Sequence, residues 1–208
     1  MSGDLIILGA GGHAKVVAEL AQLQGWVVQG FFDPALPADS TVLGLPLLEK
    51  DPFDRPAWMK ERAFFVAIGD NDIRWREFRR LIDIGVTIPT LVHPTAIVSP
   101  SATIGAGSVV MAGAVVQSEA RVGEAAVINT SASIDHDCAV KDGAFIGPGA
   151  ILCGHVSVAE HAFVGAGSIV MPKAEIGIHA FVKAGTRVCH GNSKFAKAAI
   201  ARSTGHDE

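Results

Sequence analysis

Asp135-His136-Asp137 is the stretch of this 208-residue chain most obviously equipped for proton transfer. A carboxylate beside an imidazole raises its basicity and fixes its tautomer, which suits a general base. A lone surface histidine between two acids would read the same way. His155 follows 19 positions later and would lie near the same edge if the chain coils regularly there. A second candidate is Gly9-Ala10-Gly11-Gly12-His13-Ala14, which matches the G-x-G-x-x-A form of the dinucleotide fingerprint, with Asp33 about 20 residues on. Gly11 and Gly12 would let backbone N–H groups approach a phosphate whose charge the following helix N-terminus favours. Asp33 can accept a hydrogen bond from a ribose or a base edge. A tight strand-to-helix turn with no ligand is the competing reading. Gly69-Asp70-Asn71 has the same setting after a later strand, so Gly69 and Asn71 would face the same ligand.

Alternating strands and helices must position these loops. Leu5–Leu8 reads as a buried strand, Ala14–Gln24 as an Ala-rich helix, and Trp26–Phe32 as a second strand ending at Asp33-Pro34. Phe64–Ile68 reads as a third strand, followed by a helix near Ile73–Ile84 with a charged face. This order predicts a parallel sheet covered by helices. A full dinucleotide site needs two such halves, and only about 90 residues precede the next segment, so a single nucleotide fits better.

From Val98 the pattern is a six-residue period. Aliphatic residues recur at Val98, Ile104, Val110, Val116, Val122 and Ile128, and so on to Val182, fifteen units without an insertion. The fifth residue of each unit is small: ten are Ala, the others Ser108, Ser168, Cys138, Val156 and Thr186. The first residue of each unit fits the inside of a narrow prism and the fifth a tight corner, which marks a parallel β-helix of three hexapeptides per coil. Residues 18 apart then stack, among them His161 and His179. Ile134 and Cys138 point inward in this register, and His136 outward near a corner. The expected division is 1–92, a Rossmann-like domain; 93–188, the β-helix; and 189–208, a tail with a short helix over Phe195–Arg202.

Composition agrees. Hydrophobic residues make up 49% and charged residues 18%, with 23 Gly, 6% aromatics and no Tyr, as a core of small repeated layers requires. A net charge of −4 without a long basic run argues against nucleic acid. The three cysteines have no C-x-x-C spacing, which points to a reducing compartment. With no signal-like N-terminus and no long apolar stretch, the expectation is a cytoplasmic protein without membrane contact.

Taken together, Leu5–Lys15, Ala67–Asn71, His93-Pro94, Asn129-Thr130-Ser131 and His136-Asp137 resemble the sialic-acid O-acetyltransferase-like (NeuD/PglD) family, over residues 4 to about 188. The family includes bacterial nucleotide-sugar N-acetyltransferases. The resemblance implies a left-handed β-helix, a homotrimer with sites between neighbouring prisms, and acetyl-CoA as co-substrate. It implies His136 as catalytic base and Asp137 as the acid that increases its basicity. Gly11, Gly12, His13, Asp33 and Gly69 match the loops that hold the nucleotide-sugar, and Phe145, Ala166 and Ala184 fall where the family contacts acetyl-CoA. Relatives carry a histidine where Phe145 stands, so a polar contact to the thioester is either missing or supplied by His155. Cys189-His190-Gly191-Asn192-Ser193-Lys194 also departs from the Gly-x-Pro-Ala-Lys type of ending found in relatives.

The expected reaction is direct acetyl transfer to the 4-amino group of a nucleotide-linked amino-deoxysugar, with no covalent intermediate and no metal. Alternatives are O-acetylation of a sugar such as sialic acid and a non-catalytic nucleotide-binding scaffold. Zinc held by histidines between subunits, as in hexapeptide-repeat carbonic anhydrases, would need three of them to converge across an interface.

Overall fold

A computed structural model describes residues 3–37, 39–49 and 51–191; the expected C-terminal helix lies outside them. The first strand, β1 (Asp4–Leu8), is buried on both faces from Leu5 onward and occupies the centre of a three-stranded parallel sheet. Helix α1 (Gly12–Leu23) crosses over to β2 (Val27–Phe32), and its Ala14, Val17, Ala18, Leu20 and Ala21 are buried. Alanines on that stripe let the helix lie close to the sheet. A small hairpin, β3 (Thr41–Val42) and β4 (Leu45–Pro46), packs over β2, where a side chain at Gly30 would meet the Pro46 carbonyl at 2.6 Å. A one-turn helix, α2 (Pro56–Met59), precedes β5 (Ala63–Val66), which pairs with the other side of β1.

Helix α3 (Asn71–Ile84) starts two residues before its expected beginning, because the Asp70 carboxylate caps it by accepting from Asp72 N and Ile73 N, both at 3.0 Å. Gly85, with φ of 77°, ends it in a left-handed cap.

The β-helix takes its first strand from β6 (Leu91–Val92), which pairs with Val109–Val110. Two-residue strands then recur at every hexapeptide and stack into parallel sheets of six, five and six strands. Partners are 18 apart, as in Val116, Ile134 and Leu152. One buried cluster holds the inward aliphatics and the small fifth residues, as the period requires. Ser108 and Ser168 are tolerated inside because their hydroxyls donate to Gly123 O and Lys183 O at 2.7 and 3.0 Å. The chain is thus an α/β domain with a parallel sheet followed by a hexapeptide β-helix, the expected fold class.

Many corners place a residue in the left-handed region, and not only glycines: Glu119, Asp137, His155 and Lys173 form one such column, 18 apart. A second column runs through Gly107, Ala125, Gly143, His161 and His179. This conformation directs side chains outward and sets His155 one coil above Asp137, and His179 one coil above His161.

The two halves share their cores. Leu91, Val109, Met111 and Val127, on the outer face of the prism, join the cluster of α1 and the sheet. Arg74 completes the attachment. It is buried, and its guanidinium donates to Ala125 O (2.8 Å) and Gly143 O (2.8 Å) on the prism and to Ile68 O (3.0 Å), Gly69 O (3.3 Å) and Asn71 Oδ1 (2.8 Å) on its own domain. Burial pushes the guanidinium down to about 10, still protonated at neutral pH.

Candidate active site

Asp137 holds the His136 ring. The Nδ1 atom lies 2.7 Å from Asp137 Oδ2, and the His136 backbone N–H donates to Asp135 Oδ1 at 2.8 Å. The hydrogen bond to Asp137, ahead of the nearby charges, raises the imidazole above its usual range, and the same bond lowers the Asp137 carboxyl. With Nδ1–H directed to the carboxylate, Nε2 is left as the basic nitrogen. It lies over Gly154, where an added Cβ would meet it at 2.6 Å. His155 joins the group: its Nε2 is 3.6 Å from the same Asp137 oxygen, and its ring meets that of His136 edge to face at 5.2 Å. The spacing of 19 between the two histidines was the signal for this meeting.

In the first domain the essential glycine is Gly9. Its φ is 99°, and a Cβ there would meet the Ala67 carbonyl at 2.8 Å and the Ile68 side chain at 2.9 Å. Gly11 and Gly12 face open space, so the fold does not require them to lack side chains. The first turn of α1 carries no side-chain cap and no acidic residue, so its N–H groups remain available to an anion. Asp33, half-buried at the end of β2, already braces this loop: Oδ2 accepts from Ala10 N and Oδ1 from Ala35 N, both at 3.0 Å. Leu8, Gly9, Phe32, Asp33, Phe53 and Arg80 are among the residues around a cleft of about 450 Å³ at the carboxyl ends of β1 and β2. That is where parallel α/β sheets hold ligands.

His13 is a half-buried base whose Nε2 is closed off from solvent. Burial first, and the Arg74 charge second, push its imidazole down to about 4, and its Nε2 has no hydrogen-bond partner. The unfolded chain takes up a proton near the usual imidazole value while the folded chain refuses it. Stability is therefore complete above about pH 6.5 and falls as the pH drops toward about 4, by ~3 kcal/mol in all. Urea midpoints measured at about pH 7 and about pH 4 should show this loss, and His13→Gln should shrink it.

The other expected site residues are dispersed. Asn71 does not face the ligand cleft: it is buried, its Nδ2 donates to His161 O (2.9 Å) and Ala162 O (3.1 Å), and its Oδ1 accepts from Arg74. Its amide is committed to joining the halves. Gly69 is exposed on the neighbouring loop, with open space at its Cα. Phe145 is half-buried, stacks on Phe163 at 4.8 Å and packs against the shared core. Ala166 and Ala184 are exposed, 18 apart, at a corner of the prism different from that of Asp137 and His155. A single chain therefore does not gather Phe145, His155, Ala166 and Ala184 into one pocket. Sequence reasoning missed Arg74, although it shares a helix face with Phe78 and Leu81 at the i, i+4, i+7 spacing.

Residues 4–81 match the model of the PglD N-terminal domain. UDP-N-acetylbacillosamine N-acetyltransferase from Bacillus subtilis (strain 168) is 37% identical over 114 residues, 52% of this chain. That match spans about half, 51%, of the relative's own length. A solved structure of perosamine N-acetyltransferase from Caulobacter crescentus, with one histidine replaced and in complex with CoA and GDP-perosamine, superposes with a TM-score of 0.84 at 36% identity. It covers 91% of both chains. The acetyltransferase domain of PglB from Neisseria gonorrhoeae, in complex with acetyl coenzyme A, gives 0.82 at 34% identity over 92% of this chain and 95% of its own. Agreement that runs through both halves, at these identities and over nine-tenths of the solved chains, shows that this chain belongs to the NeuD/PglD family of sugar acetyltransferases.

Proposed function

We propose that this chain transfers the acetyl group of acetyl-CoA to the 4-amino group of a nucleotide-linked amino-deoxysugar, with His136 as general base. The observation that carries the reading is the Asp137–His136 pair at 2.7 Å with Nε2 uppermost over Gly154. In this account the neutral amine attacks the thioester carbonyl. The new C–N bond forms, the amine proton passes to Nε2, and the C–S bond breaks to release the thiolate of coenzyme A. Asp137 keeps the proton on Nδ1 and stabilises the imidazolium that results. Gly11, Gly12 and the uncapped start of α1 would receive the diphosphate, with Asp33 shaping the loop around it. Ala166 and Ala184 would meet coenzyme A through their backbones along the prism.

His136 stands on a different edge of the prism from the one that Asn71 and Arg74 grip. A homotrimer in which the base of one copy serves the loops of the next fits this placement. A monomer that is fully active by light scattering and assay would overturn it. Among the described residues no helix is long and apolar enough to cross a membrane, and Cys138, Cys153 and Cys189 are free thiols, in keeping with a cytoplasmic setting.

Release of the CoA thiol should be followed across UDP-, GDP- and dTDP-linked 4-amino sugars and their 4-hydroxy counterparts. Turnover with an amino sugar only is the expected result. Turnover with hydroxyl acceptors only would make the enzyme an O-acetyltransferase, and none with any acceptor would favour a non-catalytic scaffold.

Gly154→Ala provides a sharper local test. Its Cβ would sit 2.6 Å from His136 Nε2, but the ring is the free end of an exposed side chain and can swing aside. The melting temperature should hardly change while kcat falls at least ~10-fold, since misplacing a catalytic group by about 1 Å can cost ~10²-fold. Unchanged turnover would show that the ring position over Gly154 is immaterial.

A further inference from the structure

Asp72, in the first turn of α3, meets His161 and His179 from successive coils of the prism, with one ligand atom of each within 4.8 Å of the others. The two rings stack with centroids 4.8 Å apart and an interplanar angle of 13°. Their Nδ1 atoms lie 3.6 Å (His161) and 3.2 Å (His179) from the same oxygen, Asp72 Oδ1. The shorter contact is at the limit of a hydrogen bond and the longer lies beyond it. His161 Nδ1 is closed off from solvent and makes no hydrogen bond, while Trp75 holds the ring edge-on at 5.7 Å.

A hydrogen-bonded pair with a bystander ring leaves that buried nitrogen unexplained. Ligands bound at ~2.0–2.1 Å to a tetrahedral ion stand ~3.3–3.4 Å apart, and the two nitrogen–oxygen separations straddle that value. Two imidazoles and a carboxylate suit zinc and its neighbours among the divalent transition metals.

We propose that Asp72, His161 and His179 form a binding site for one divalent transition-metal ion of the zinc class, which fastens α3 to the last coils of the β-helix. The site lies on the corner column of Ala125 and Gly143, not on that of Asp137, so within one chain the ion stands apart from His136. It adds a third attachment beside Asn71 and Arg74, on the same helix, and leaves one tetrahedral position for water.

Untagged protein, stripped with a chelator, should be titrated with Co²⁺ by visible absorption and with Zn²⁺ by calorimetry. The expected result is one ion per chain, a melting temperature that rises with the ion and falls back on chelation, and a kcat that the ion does not alter. Asp72→Asn, which keeps the side-chain shape, and His179→Ala, at an exposed position, should each weaken binding at least ~10-fold. His136→Ala should still bind one ion. No binding by the wild type at about 1 mM metal would overturn the proposal. So would binding that Asp72→Asn and His179→Ala both retain, or binding lost in His136→Ala, which would place the ion at His136, Asp137 and His155.

Discussion

Replacing His136 by alanine or asparagine should lower kcat by at least ~10²-fold, the contribution expected of a general base, while the fold and the affinity for both substrates persist. The ring is half exposed and packs into no core, so its loss costs little stability. Asp137→Asn should cost less, because Asp137 tunes and orients the base without taking the proton. The pH profile separates the two roles. The base works only when neutral, so kcat falls as the pH drops through the pKa of His136, which the Asp137 hydrogen bond raises. In Asp137→Asn that acid limb should move to lower pH and the plateau should fall. An acid limb that stays in place would mean that another group titrates. Near wild-type turnover in His136→Ala would remove His136 from the reaction.

Arg74→Met should be strongly destabilising. The substitution keeps the bulk of the side chain but removes every donor. Ala125 O, Gly143 O and Asn71 Oδ1 then lose the Arg74 donors they accept from at the buried junction of the two halves. Each buried acceptor left unmet costs ~1–3 kcal/mol, so a loss of ~3–5 kcal/mol is expected in urea unfolding. Arg74→Lys should rescue only part of it, since one ammonium cannot span carbonyls on two domains and a loop. Because the same guanidinium holds Ile68 O and Gly69 O, the acceptor KM should rise as well. Unfolding at the wild-type midpoint would show that the shared apolar core alone holds the halves together.

The period of the β-helix was legible because it is a packing rule, although the structure adds a strand at each end of the fifteen units, Leu91–Val92 and Arg187–Val188. A position that returns to the axis every sixth residue tolerates only an aliphatic side chain, and the corner beside it only a small one. The loops of the first domain were legible in place but not in detail. The fingerprint located the turn, yet the glycine that the backbone demands is Gly9, pressed against Ala67 O, a contact made by a strand some sixty positions away. Asp33 was read as accepting from a ligand; that its carboxylate also braces the loop, accepting from Ala10 N and Ala35 N, was not visible in the sequence. Asn71 was read as facing the ligand, and Arg74 was passed over because polar residues on a helix with a charged face read as solvated; only the docking of the prism turns that part of α3 inward. The pairing of His136 with Asp137 is local and was visible; the arrival of His155 depends on the 18-residue coil and followed once the register was known.

Whether His136 makes an amide on a nucleotide-linked amino sugar is decided by a single-turnover reaction in which wild-type protein and His136→Ala are each saturated with acetyl-CoA and the amino sugar that the panel selects. The product is then assigned by NMR. Wild-type protein should yield one acetyl group, attached to the sugar nitrogen, and the loaded variant almost none in the same time. An acetyl group on a sugar oxygen, or the same N-acetylated product forming at the wild-type rate in the variant, would contradict that expectation.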